Sequence, residues 1–567
     1  MADNDGAAAL DLLLAMDDGR ACLDETLTMK SALEGARPED GAKPAHYYQP
    51  GGDPNDLSLQ GWALIVPAGP TGDRLAALVR PLVEKRAADQ GIEVDEVKVL
   101  RVPPDSLYKT AAGAAKWSKT FYDNRSGSSD DVPLYQLILG DLDQVPLAIQ
   151  QHQSVTGRVG RLAFDTEAGY AAYVDKLLRV ERAPKRPRRR VVVHTAHDGS
   201  AALKIGHEAL VTPWLELMER EREKGRLADT DVVVGGGVPM APDAERLLEN
   251  AAVREPGVLF TMSHGVGGPR GGWKKESDRR ARQGALHLMG DDALLPDDLV
   301  DSVFMPEGVW FMFACYGAGT PDLSAYQHWL DRLASLKALK NAGDVLSSLK
   351  GERPFIAALP QRALANPNGP IAFVGHVDLA WTYSFQDGVD ASQRRPGQFH
   401  RVVDPVLRAD RVGVAVAELT RTMASAETEL VGLYDEDART GATSREAWED
   451  IRRAFLWMER QDLAGYVLLG DPAARLPVAP PTKRKAAKLD MGFVTEAPRA
   501  APAPPPKEPE APPEVAAPSA PSTGAKPGVA KLERAILTLL LETRTARELS
   551  AELGIERAEL ERLADAY

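Results

Sequence analysis

A chain of 567 residues, 44% hydrophobic and 26% charged, has the composition of an ordinary globular protein with room for two or three domains. Its formal charge of −14 argues against general nucleic-acid binding, which needs a basic surface, and fits action on other proteins or on small molecules. Two cysteines, Cys22 and Cys315, make no disulfide framework; with no run of about 18 apolar residues and no basic leader, a reducing, cytoplasmic location is expected and no membrane partner.

Residues 1–54 read as a weakly packed leader ending in a Pro/Gly stretch. Regular structure is expected from the apolar run 61–67, a buried strand stopped by proline and glycine. A helix over 73–91 follows, then strands over 94–102 and 135–146, and an amphipathic helix over 166–181. These elements form a first α/β unit, 55–188. A basic break over 183–190 opens a second unit, 189–478. Its strands are expected at 191–198, 231–237, 257–265, 309–317 and 371–381, with helices at 209–225, 242–255, 323–350 and within 405–460, and it closes over 465–477. Strands alternating with helices specify an α/β fold, here two doubly wound parallel-sheet subdomains. Residues 479–530 collapse into Ala, Pro, Lys and Glu and cannot bury enough apolar surface to offset their ordering entropy, so they read as a disordered linker. Residues 531–567 regain helical periodicity and form a small helical module.

Two strand ends carry the chemistry. The first reads Phe260-Thr261-Met262-Ser263-His264-Gly265, the second Phe311-Met312-Phe313-Ala314-Cys315-Tyr316-Gly317. Each is an apolar run ending in a reactive side chain, with a glycine close behind. In an open parallel sheet, ligands sit beyond the carboxyl ends of the strands, so both side chains are expected in one crevice. A free thiol is only a few per cent thiolate at neutral pH, and a neighbouring imidazole takes its proton and returns it to the leaving amine. The backbone N–H groups of Gly265 and Cys315 are the natural donors to an oxyanion. His264 precedes Cys315 by 51 residues, close to the separation of about 50 found in caspases. A lone cysteine on an apolar strand is more often inert core; the pairing of the two strand ends makes Cys315 a nucleophile and His264 its acid–base partner.

With these motifs the chain resembles the caspase-like clan of cysteine peptidases, where His-Gly and Ala-Cys-x-Gly occupy two such strand ends. Over about residues 60–477 it resembles the gingipain-like branch. The supporting marks are Gly140-Asp141 with Pro146, Gly160-Arg161-Leu162, Tyr173 with Lys176 and Glu181, and Leu468-Leu469-Gly470-Asp471-Pro472. In spirit it is also similar to the intracellular CHAT-type and separase-like caspase-like proteases. The resemblance implies an endopeptidase of protein substrates, in regulated proteolysis or bacterial defence. Gingipains draw the aspartate of their arginine pocket from just before the Gly-Arg-Leu step; residues 150–156 here carry no acid, so arginine specificity does not carry over. The strand after the cysteine strand borders the cleft in this clan, which makes Asp378 and Trp381 candidates for lining the substrate pocket. Equally, Asp378 caps a turn and Trp381 fills core.

His194, His197 and His207 with Asp198 match no zinc signature, and 231–239 lacks the glycine spacing of a phosphate loop, so neither metal nor cofactor is assigned. The basic runs at 278–282 and 393–396 read as long exposed loops open to self-cleavage. Residues 545–555 have the look of a helix-turn-helix, but the following helix is acidic where a recognition helix wants Arg, Lys, Asn or Gln. The module 531–567 is therefore read as a docking or self-association unit. Two other functions compete: a catalytically silent caspase-like scaffold, and a regulator binding DNA through the C-terminal helices.

Overall fold

The computed structural model describes residues 52–122, 133–197, 200–227, 229–235, 244–267, 273–288, 292–335, 353–385, 395–440 and 447–479. The leader before residue 52 with its Cys22, the linker after 479 and the module 531–567 lie outside the described residues. Contacts divide the chain into residues 1–52 with 119–132, and residues 53–118 with 133–567. Of the first unit, the structure describes residue 52 and the last turn of the helix Ala111–Tyr122. The second carries the sheet and every candidate site residue.

Ten strands build that sheet: β1 (Trp62–Pro67), β2 (Lys98–Val102), β3 (Tyr135–Leu139), β4 (Arg158–Leu162), β5 (Arg189–Thr195), β6 (Thr230–Gly235), β7 (Gly257–Met262), β8 (Val309–Phe313), β9 (Ala372–His376) and β10 (Tyr466–Leu469). Their order is β2-β1-β3-β4-β10-β9-β8-β7-β5-β6. Strands β1, β3, β7, β8 and β9 are buried along their whole length, as a parallel sheet covered by helices on both faces requires. This is why they read as unbroken apolar runs. Each large side chain so buried contributes roughly 1.5–3 kcal/mol.

The two halves read from the sequence thus share one sheet, and they run in opposite directions. Every pairing is parallel except β9 with β10. The last strand of the sheet therefore joins the first half in direction, and β10 meets β4 at Leu469 and Arg161. Local chemistry adjusts the expected elements elsewhere. The helix expected over 73–91 divides into Pro70–Leu78 and Arg80–Gln90, because Pro81 has no N–H to donate and sits only in a first turn. Strand β4 escaped the apolar-run criterion because it carries Arg158 and Arg161.

Arg161 is fully buried and fully employed. Its guanidinium donates to the carbonyls of Gly140 (2.8 Å) and Val145 (2.9 Å) and to Gln150 Oε1 (2.8 Å). Asp471, also fully buried, accepts from Trp62 Nε1 (3.0 Å), Arg86 Nε (2.8 Å) and its own turn at Ala473 (3.0 Å). Arg86 reaches on to Glu181 and Asp89. Burial opposes its charge, but Asp471 and Glu181 outweigh burial and raise its pKa well above the ordinary value. Tyr173 accepts from the Asp471 N–H (2.7 Å) and donates to the Ile371 carbonyl (2.8 Å). Lys176 donates to the carbonyls of Leu364 (2.6 Å) and Asn366 (2.8 Å) at the end of the helix Ala358–Ala365. Gly160 lies so close to β10 that a Cβ there would fall 2.1 Å from the Gly470 carbonyl oxygen. The motifs that mark the resemblance are thus the polar fasteners of the β4/β10 junction.

Candidate active site

Strands β7 and β8 pair in parallel from Val258 with Val309 to Met262 with Phe313, every pair offset by 51 residues. His264 and Cys315 keep the same offset two residues beyond the ladder, on neighbouring strand ends. The separation read from the sequence is the register of the pair. Ser263 N–H donates to the Phe313 carbonyl (3.1 Å) and His287 N–H to the His264 carbonyl (3.0 Å), which fixes the backbone on both sides of the imidazole. Gly265 packs directly on the Cys315 backbone: a Cβ there would fall 1.8 Å from the Cys315 carbonyl oxygen. Among the backbone bonds of the described residues, the N–H groups of Gly265 and Cys315 donate to no carbonyl.

The chain turns sharply after Cys315. Tyr316 takes a left-handed conformation (φ 58°), which costs a non-glycine residue about 1–2 kcal/mol. Its N–H donates to the Asp378 carbonyl (2.7 Å), and Ala318 N–H donates to the His376 carbonyl (2.9 Å). The segment after β9 then passes over the thiol. Ala380 N–H donates to Cys315 Sγ (3.3 Å), and the thiol lies 3.6 Å from the Ala380 carbonyl oxygen. Burial pushes the Cys315 thiol up to about 11, with Asp462 and Asp378 adding to the rise against the Ala380 N–H. The sequence led us to expect a thiolate favoured by its imidazole. The free protein instead holds a protonated thiol, because desolvation outweighs the hydrogen bond.

His264 has a partner that sequence reasoning missed. Ser200 Oγ lies 3.0 Å from His264 Nε2 and also accepts from the Leu203 N–H (3.4 Å), capping the helix Ala201–Gly206. A hydroxyl oxygen has two acceptor lone pairs, so it accommodates both donors when the imidazole proton is on Nε2. The signal was available: a serine before an apolar helical pattern, just past the end of β5, reads as an N-cap.

Asp378 is 4% exposed. Its carboxylate accepts from Ser324 Oγ, Ala325 N–H and Leu379 N–H, each at 2.8 Å. Trp381 is half-buried; its N–H donates to Asp462 Oδ1 (2.8 Å), and its ring meets Tyr326 and Trp329 edge to face at 5.6 and 5.7 Å. Asp462 also accepts from the Ser384 N–H (3.1 Å), and His376 Nε2 donates to its carbonyl (2.9 Å).

The basic run at 278–282 is not an exposed loop. It lies in the helix Glu276–Arg282, where Arg279 is 1% exposed and Arg280 donates to Asp141 (2.6 Å) and covers Phe355 (4.9 Å). Cation–aromatic and ion-pair contacts of this kind hold a basic run against the body of the protein. In the second run, residues 393 and 394 lie outside the described residues, and Arg395 pairs with Glu459 (2.6 Å). His197 and His207 meet edge to face at 4.9 Å; Asp198 is outside the described residues, among which no cluster of three or more metal-ligating side chains occurs. No helix among the described residues is long and apolar enough to cross a membrane.

No family model matches the chain, and no curated protein matches it. Among solved structures it is similar to the complex of the pro- and mature domains of RgpB from Porphyromonas gingivalis, with 12% identity and a TM-score of 0.39 over 73% of this chain and 79% of that one. A crystal structure of the Arg-specific cysteine proteinase gingipain R gives 11% identity and 0.39 over 74% and 78%. The separase–securin complex of Saccharomyces cerevisiae gives 9% identity and 0.28 over 63% of this chain and 16% of that one.

Proposed function

We propose that this protein is an intracellular caspase-like cysteine endopeptidase, in which Cys315 attacks the peptide carbonyl and His264 moves the proton. The observation that carries it is the register of β7 with β8, which sets the two residues on adjacent strand ends with Gly265 against the Cys315 backbone. Ser200 Oγ, 3.0 Å from His264 Nε2, orients the imidazole that serves as the base. As Sγ bonds to the carbonyl carbon, the imidazole takes the thiol proton, and the N–H groups of Gly265 and Cys315 receive the oxyanion. The C–N bond then breaks with the imidazolium protonating the amine. Water, deprotonated by the same imidazole, cleaves the thioester, and the thiol recovers its proton. A thiol pushed up to about 11 suits this sequence, in which the proton leaves only during attack and no standing ion pair is needed.

Cys315→Ala is expected to abolish hydrolysis of a peptide that wild type cleaves, with the melting temperature unchanged. His264→Ala costs nearly as much, and the double variant is little worse than either, since nucleophile and base act as a unit. Unchanged turnover in Cys315→Ala removes the function. The same thiol, protonated and bonded to Ala380, also suits a silent scaffold. That second function predicts no reaction of Cys315 with any peptidyl electrophile.

A further inference from the structure

The nucleophile stands at the edge of an aromatic cluster built from three separate elements. Tyr326 and Leu330 come from the start of the helix Gln327–Ser335 and the turn before it, Met458 from the helix Ala447–Ala464, and Tyr316 from the nucleophile's own turn. Packed against them and only partly buried are Trp329, Leu379, Trp381, Tyr383, Trp457 and Cys315 itself. Such rings each bury 150–250 Å² when covered. Exposed fractions of several rings next to one thiol leave apolar surface that a neighbouring side chain would cover.

We infer that this wall selects the substrate: the enzyme cleaves beside a bulky apolar residue, aromatic or large aliphatic, and Trp381, Trp329 and Tyr383 determine that preference. The inference rests on the peptidase function proposed above. One observation separates it from a basic preference. The carboxylates that act electrostatically on the thiol are Asp462 and Asp378. Asp378 is spent on three donors and Asp462 on two backbone N–H groups beside His376. Neither is left to pair a lysine or arginine head, and a buried unpaired cation is costly. The rings brace one another: Trp381 meets Tyr326 and Trp329 edge to face, and Tyr326 meets Trp457 at 6.0 Å and 89°. The wall is held firmly, because the segment bearing Trp381 is pinned at one end by Asp378 and at the other by Asp462.

The full-length chain is treated with peptidyl acyloxymethyl ketones carrying Phe, Leu, Arg, Asp or Ala at the reactive position, and with a peptide library varied on both sides of the scissile bond. Labelling of Cys315 is expected fastest with Phe or Leu, by about 10- to 200-fold over Ala. Trp381→Ala and Trp329→Ala should erase that margin while labelling by the Ala reagent persists, which also shows that the variants fold. Asp378→Asn should slow all reagents together. Preference for Arg, Asp or Ala in wild type, or loss of all reagents in equal proportion in both tryptophan variants, overturns the aromatic wall and leaves the peptidase function standing. Failure of every reagent to label Cys315 overturns both.

Discussion

The β4/β10 junction and the β7/β8 edge both collect polar groups at strand ends, and they treat them in opposite ways. At the junction every group is answered: Arg161 has four acceptors, Asp471 three donors, and Tyr173 both gives and receives a bond. At the edge the polar groups are left partly uncommitted. The N–H groups of Gly265 and Cys315 make no backbone bond among the described residues, Tyr316 holds a costly conformation, and the thiol is kept protonated by burial. Satisfied buried networks stabilise a single structure. Strain and unmet donors belong where a ligand completes them.

That contrast predicts where substitutions act. The largest effect is expected at the junction, where Asp471→Ala takes one of three carboxylates from the buried Arg86 guanidinium and the acceptor from Trp62 Nε1, and costs about 3–5 kcal/mol. Urea unfolding reads this loss, while turnover per folded molecule stays near wild type. At the edge the order reverses. Gly265→Ala forces a methyl group into the Cys315 carbonyl and misplaces an oxyanion donor, so turnover per folded molecule falls about 10²–10³-fold, and the backbone shift it forces costs some stability, less than at the junction. A stability loss as large as that of Asp471→Ala would show that the edge is as structural as the junction.

Smaller effects sharpen the same division. Ser200→Ala is expected to lower kcat about tenfold with KM little changed and to shift the acidic limb of the pH–rate profile. Ser200→Thr should restore both, since it keeps the acceptor oxygen; a purely structural cap would leave the pH profile in place. A further effect is in the pH dependence of the free protein. The native thiol holds its proton more tightly than the unfolded thiol, so its stabilising contribution is present below about 9 and lost as pH rises through about 11. Wild type should therefore lose stability across that window relative to Cys315→Ala, and alkylation of Cys315 by iodoacetamide should keep rising up to about pH 11. A plateau below pH 8 would mean a standing thiolate.

Much of this was legible in the chain. Strands buried on both faces must be apolar throughout, so β1, β3, β7, β8 and β9 announce themselves. Paired parallel strands keep a constant offset, so the 51-residue spacing of His264 and Cys315 carried the register of β7 and β8 before any coordinates. Strand β4 was not legible, because Arg161 reads as a surface residue until its acceptors are known. The run at 278–282 reads as a loop for the same reason, since Phe355 and Asp141, which hold Arg280, are distant in the sequence; Asp278, Ala281 and Arg282 are exposed as expected, on a helix.

By itself, then, the sequence determined the strand–helix alternation, the two reactive strand ends and the glycine that must follow His264, because each depends on local pattern or on a constant offset. Tertiary structure alone decided the reversal of direction at β9 and β10, the use of the Asp378 carboxylate as a turn clamp, the approach of Ser200 to His264, and the convergence of Trp329, Trp381 and Trp457 near one thiol. The reason is physical. What a charged or aromatic side chain does is set by the partners that surround it, and here those partners arrive from elements far apart in the chain.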